Sequence, residues 1–89
     1  MKTLSIFIRD CGDGSQSLIY CLDYELSRKF KDHLEDEDNR FPDWIIESYQ
    51  SGDGIQVDHL RVPEECTYES LNLLECQTVE YVMKEYFLK

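Results

Sequence analysis

The residue types able to do chemistry are four cysteines, two histidines and an unbroken run of carboxylates at Glu35, Asp36, Glu37 and Asp38. Cys11, Cys21, Cys66 and Cys76 follow one another at steps of 10, 45 and 10 residues. Structural zinc wants close pairs such as Cys-x-x-Cys, so His33 and His59 have no metal pattern to complete. A phosphatase-type loop needs an Arg after five intervening residues. Cys11 has Ser17 there, and the other cysteines have Ser27, Asn72 and Val82. A thiol–imidazole pair could still be built from Cys11 with His33 or His59. However, Cys11 sits in a Gly-rich loop between aspartates and lacks the positive charge that activates a thiol. Small buried hydrophobes plus one exposed thiol is the better account of these cysteines.

Clustered acids suggest calcium, which an EF-hand loop holds through acids at alternate positions, a sixth-position Gly and a twelfth-position Glu. Counting from Asp10, the third, fifth and twelfth positions are Gly12, Gly14 and Cys21. Counting from Asp36, they are Asp38, Arg40 and Glu47, without the Gly. Neither loop fits. Paired carboxylates doing acid–base work need an environment that separates their pKa values, and a run this polar is expected in solvent. Gly-x-Ser-x-Gly, a phosphate-binding Gly loop with Lys and a dinucleotide fingerprint are all missing. The chain is therefore read as a non-enzyme without metal or cofactor. A thiol-dependent enzyme centred on Cys11 or Cys66 is kept as an alternative.

Charge says more. The net charge is −10, from 19 acidic and 9 basic residues. Residues 32–80 alone carry 14 acids against Arg40 and Arg61, a net −12, and the segments on either side are each +1. Such a field repels nucleic acid and anionic membrane and draws in cationic partners. Residues 1–9 are too short for a leader, and the acids and glycines that follow interrupt any apolar region. No apolar run reaches transmembrane length. The expected compartment is the cytosol, with free thiols.

These groups must be positioned by a small framework, because 89 residues make one modest core and a single domain over 1–89. Residues 3–9 alternate and are β-branched, with apolar side chains on both faces, and read as a strand. After a Gly-rich loop, residues 17–22 read as its antiparallel neighbour. Asp23 can cap a helix over 24–36, where Leu22, Leu26 and Phe30, with His33 or Leu34, recur at three- and four-residue steps. The carboxylate run then falls at its C-terminal end, against the dipole. Pro42 and Asp43 suit the first turn of a second helix ending near Gly52, with Phe41, Ile45 and Tyr49 on one stripe. Gly52-Asp53-Gly54 turns the chain into a third strand over 55–62. Val79, Val82, Met83, Tyr86 and Phe87 form an amphipathic helical stripe. Leu71 and Leu74 align instead with Tyr81 and Leu88. Either the helix breaks near 76–78, or one long helix carries two apolar faces and supports a homodimer. The expected fold is α+β, a small three-stranded, mainly antiparallel sheet packed against two to three helices in the order ββααβα.

The expected function is protein–protein interaction through the acidic surface. Glu35, Asp36, Glu37, Asp38, Asp43 and Glu47 supply charge, and Trp44 and Tyr49 serve as apolar anchors. The expected partner is a basic protein, one whose nucleic-acid-binding surface a carboxylate array can imitate and mask. The chain itself is expected to bind neither nucleic acid nor membrane. Small phage inhibitors of host defence, anti-CRISPR proteins among them, work this way as a class. The parallel is one of charge and size alone. An immunity protein or antitoxin neutralising a basic nuclease would use the same physics.

Overall fold

The computed structural model of the chain describes residues 1–35 and 42–87. In chain order its elements are β1 (Lys2–Asp10), β2 (Gln16–Cys21), α1 (Tyr24–Glu35), α2 (Asp43–Tyr49), β3 (Gln50–Ser51), β4 (Gly54–Ile55), β5 (Val57–Val62) and α3 (Val79–Val82). A 3-10 turn at Glu75–Gln77 precedes α3, and a π-helical turn at Met83–Phe87 continues it. The main sheet is antiparallel with the order β2-β1-β5, so the expected α+β architecture is what forms.

β1 is central because it can bury both faces. Pleating sends Ser5 and Phe7 toward the helices and Leu4, Ile6 and Ile8 to the outer face. Register places Phe7 between Ile19 and Val57, and Ser5 between Cys21 and His59. The β1–β2 loop is closed by its own aspartates. Asp10 accepts from the Gly12 N–H at 2.9 Å and Asp13 from the Ser15 N–H at 3.0 Å, while Gly12 and Gly14 take positive φ. Two of the chain's acids are thus turn-forming residues. The Ser15 hydrogen bonds hold the exposed Asp13 carboxyl below its ordinary range.

α1 starts where Asp23 accepts from the Leu26 N–H at 3.1 Å, and it buries Ser27, Phe30 and Leu34. α2 buries Ile45 and Tyr49. Three rings, one each from β1, α1 and α2, meet edge to face. Phe7 and Phe30 are 4.8 Å apart, Phe30 and Tyr49 5.5 Å, and Phe7 and Tyr49 6.4 Å. Val79, Val82 and Met83 close the same core, as the helical stripe predicts.

Three expectations are corrected. Pro42 is the N-cap rather than a first-turn residue, and its carbonyl accepts from the Ile45 N–H at 2.9 Å. The second helix ends at Tyr49 instead of running to Gly52. Gln50 is already extended, and Gly52 and Asp53 form the turn of a β3–β4 hairpin. The strand expected over 55–62 is split, because Gln56 lies between β4 and β5. The Gln56 N–H donates to the Tyr49 carbonyl at 2.9 Å and its carbonyl accepts from the Ile8 N–H at 3.0 Å. Of the two readings of the last segment, the break near 76–78 is the one that forms, and the single long helix with two apolar faces does not. Leu71 lies in a turn, Leu74 is extended, and Thr78 caps α3 by accepting from the Tyr81 N–H at 3.3 Å. Leu71, Leu74 and Tyr81 therefore share no helix face, and Leu88 lies outside the described residues.

Among the described residues, the buried Tyr49 hydroxyl has no hydrogen-bond partner. An unsatisfied buried hydroxyl costs roughly 1–3 kcal/mol, whereas the ring carries the packing. Tyr49→Phe is therefore expected to leave stability unchanged or raise it by up to about 1 kcal/mol in urea denaturation. A loss above that size would contradict the assignment of an orphaned hydroxyl.

Candidate functional site

The described acids of residues 32–80 do not all gather in one place. Asp43 and Glu47 stand on α2 beside the β1–β2 loop, and Glu47 shares a groove of about 440 Å³ with Arg9, Asp10, Cys11, Gly12 and Trp44. Glu64 lies at the other end of β1, its carboxylate 3.0 Å from the Met1 ammonium. The nine residues of β1 separate these two groups by roughly 26 Å at strand rise. Glu47 and Glu64, both within the −12 segment, therefore lie at opposite ends of β1.

Of the expected partner-binding residues, Asp43, Trp44 and Glu47 are brought together. α2 sets them on its exposed side because the opposite side is occupied by Ile45 and Tyr49. Asp43 and Glu47 are one turn apart, a like-charge spacing that costs a few tenths of a kcal/mol. Trp44 remains 52% exposed although it is well held. The Arg9 guanidinium lies 5.1 Å from the centroid of the indole, and Tyr86 meets it edge-on at 5.9 Å. Arg9 and Tyr86 were not foreseen. The alternation of β1, which sends Arg9 to the same side as Phe7, was the available signal.

Tyr49 is corrected. It is fully buried in the ring cluster and cannot meet a partner. Glu35 is exposed at the end of α1, 3.9 Å from Lys31. Asp36, Glu37, Asp38 and Phe41 lie outside the described residues.

The remaining acid of note, Glu80, is engaged in structure. Its Oε1 accepts from the Tyr68 hydroxyl at 2.9 Å and from the Cys21 thiol at 3.6 Å. The Tyr68 oxygen in turn accepts from the Leu22 N–H at 2.9 Å. This network ties the irregular segment between β5 and α3 to the end of β2. Burial pushes the Cys21 thiol up to about 12, with Glu80 adding in the same direction. Burial likewise raises the Tyr68 phenol and takes Tyr49 up to about 12.

The thiol chemistry can be placed as well. His59 pairs with Ser5 in the sheet, its Nδ1 3.0 Å from Ser5 Oγ. Cys11 lies six residues further along the β1 direction, about 20 Å away, which is too far for a thiol–imidazole contact. Among the described residues no group of three His, Cys, Asp or Glu side chains converges to hold a metal ion. No described helix is long and apolar enough to cross a membrane.

Two measurements follow from the buried groups. Cys11 and Cys76 are exposed, so a thiol reagent at pH 8 is expected to label both in the native protein and to reach Cys21 only on unfolding. Cys21 and Tyr49 ionise later folded than unfolded. Their contribution is complete below pH 9 and is lost as pH rises through 12, so the denaturation midpoint is expected to fall across that window. A midpoint flat from pH 9 to 12, or native labelling of Cys21, would contradict this burial.

Comparison of the chain with protein-family models, with curated proteins and with solved structures finds no match, so its function rests on its own residues.

Proposed function

We propose that this chain is a protein-interaction domain that binds a basic partner through the pole formed by Trp44, Asp43 and Glu47, with the β1–β2 loop beside it. The observation that carries this reading is the mounting of Trp44. A large aromatic half in water is costly for a small domain to keep, yet this one is gripped by Arg9 and Tyr86 and has little freedom left to lose on binding. Exposed Trp with an acidic rim has the composition of an interface anchor for a cationic surface. The partner class is a protein whose cations otherwise meet nucleic acid, because carboxylates on a chain of net charge −10 compete for the same Lys and Arg groups. In this role the domain is an inhibitor that masks that surface. An immunity protein facing a basic nuclease is the same reading with a nuclease as the captured partner.

The test is retention from a bacterial lysate by the immobilised chain, with elution in a salt gradient. A basic nucleic-acid-binding protein should be retained at low salt, released at moderate salt and displaced by added duplex. Trp44→Ala is expected to weaken that binding by at least roughly 30-fold, the ~2 kcal/mol of an interface anchor. Asp43→Lys with Glu47→Lys should slow association and flatten its salt dependence. Equal retention by both variants would exclude this pole as the interface.

A further inference from the structure

β5 is the open edge of the main sheet. Among the described residues it pairs with β1 alone, whereas the other edge strand, β2, is bridged at Tyr20 by Thr78. The Ile8 N–H donates to the Gln56 carbonyl at 3.0 Å, which makes Phe7 and Val57 a non-hydrogen-bonded pair. Alternation from there turns the backbone groups of Asp58, Leu60 and Val62 toward β1 and those of His59 and Arg61 outward. Asp58, His59, Leu60 and Arg61 are all exposed. An edge of this kind is a template for another strand.

The sequence of β5 fits that strand to a second copy of itself. The chain carries −10, yet Asp58 and Arg61 balance within β5, so two copies can approach here. A two-fold axis perpendicular to the sheet keeps each face on its own side, so even-numbered residues of β5 oppose even-numbered ones. With the axis at Leu60, His59 of each copy forms a hydrogen-bonded pair with Arg61 of the other. Pro63 then falls opposite Val57 of the other copy, and its missing N–H ends the ladder on both sides.

The side chains of the outer face match in this register. Leu60 already lies opposite Leu4, so the central row reads Leu4, Leu60, Leu60, Leu4 across the axis. Leu60 is 50% exposed in the single chain, and this row covers it. The flanking rows read Lys2, Val62, Asp58, Ile6, with Val62 and Asp58 from different copies. Lys2 and Asp58 are then two strand spacings apart, roughly 10 Å, a distance that a lysine side chain lying over Val62 can bridge. The row occurs twice, once on each side of the axis. Moving the axis to His59 sets Asp58 against Leu60 and loses both kinds of row.

We infer that the chain self-associates through β5, two copies joining into one antiparallel sheet of order β2-β1-β5-β5-β1-β2. The pairing uses neither Trp44 nor the β1–β2 loop and does not rest on the reading given to that pole.

The test is sedimentation equilibrium of the full chain over about 10 µM to 1 mM, in about 0.15 M salt, which screens the −10 on each copy beyond ~8 Å. Reductant keeps the exposed Cys11 and Cys76 from cross-linking copies. The mass is expected to rise from 10.6 kDa toward twice that value, and exchange of the His59 and Arg61 amides to slow in step. Leu60→Lys sets two ammonium groups face to face at the axis and should hold the mass at 10.6 kDa throughout. Asp58→Lys should weaken the dimer roughly tenfold through its two rows, and adding Lys2→Asp should restore it. An unchanged urea midpoint will report an intact fold in each variant. A mass fixed at 10.6 kDa for the unaltered chain, or a dimer that Leu60→Lys leaves intact, would overturn the inference. Amides at 59 and 61 that slow only when a basic partner is added would also overturn it, by giving the edge to that partner.

Discussion

The contact among Phe7, Phe30 and Tyr49 is what the rest of the domain depends on. Each ring comes from a different element, so one edge-to-face cluster fixes α1 and α2 against β1 at the same time. A helix of seven residues such as α2 has little stability of its own in water. Its position, and so the direction in which Trp44 faces, is set by Tyr49 and Ile45 in the core. Tyr49, expected beside Trp44 as a second exposed anchor, is instead the buried ring that orients Trp44.

β1 performs a comparable double role. Its helix side supplies Phe7 to the core and, two residues on, Arg9 to the indole of Trp44. Its first residues reach the opposite end of the sheet, where Lys2 and Thr3 border a second groove with His59 and Arg61.

Much of the framework was legible because it rests on local periodicity. The alternation over residues 3–9, the four-residue steps from Leu26 to Leu34 and the stripe from Val79 to Tyr86 each follow from one-sided burial. The misses have physical reasons as well. β3 and β4 are two residues each, too short to alternate, and they form because Gln56 joins the Tyr49 carbonyl to β1. Tyr49 could not be told from a surface aromatic, since a stripe names a face without saying which rings the core takes. Charge counting along the chain also misled. Residues 32–80 are contiguous in sequence, but the chain carries Glu47 and Glu64 to opposite ends of β1.

Because the chain has one tryptophan, its emission reports on Trp44 alone. The most direct measurement is that emission while the salt-eluted basic partner is titrated back at low ionic strength. A blue shift that saturates with binding and reverses on adding salt is expected, because the indole must leave water as the acidic rim engages. Binding of the partner with no change in the emission would place the interface elsewhere and contradict the role given to Trp44.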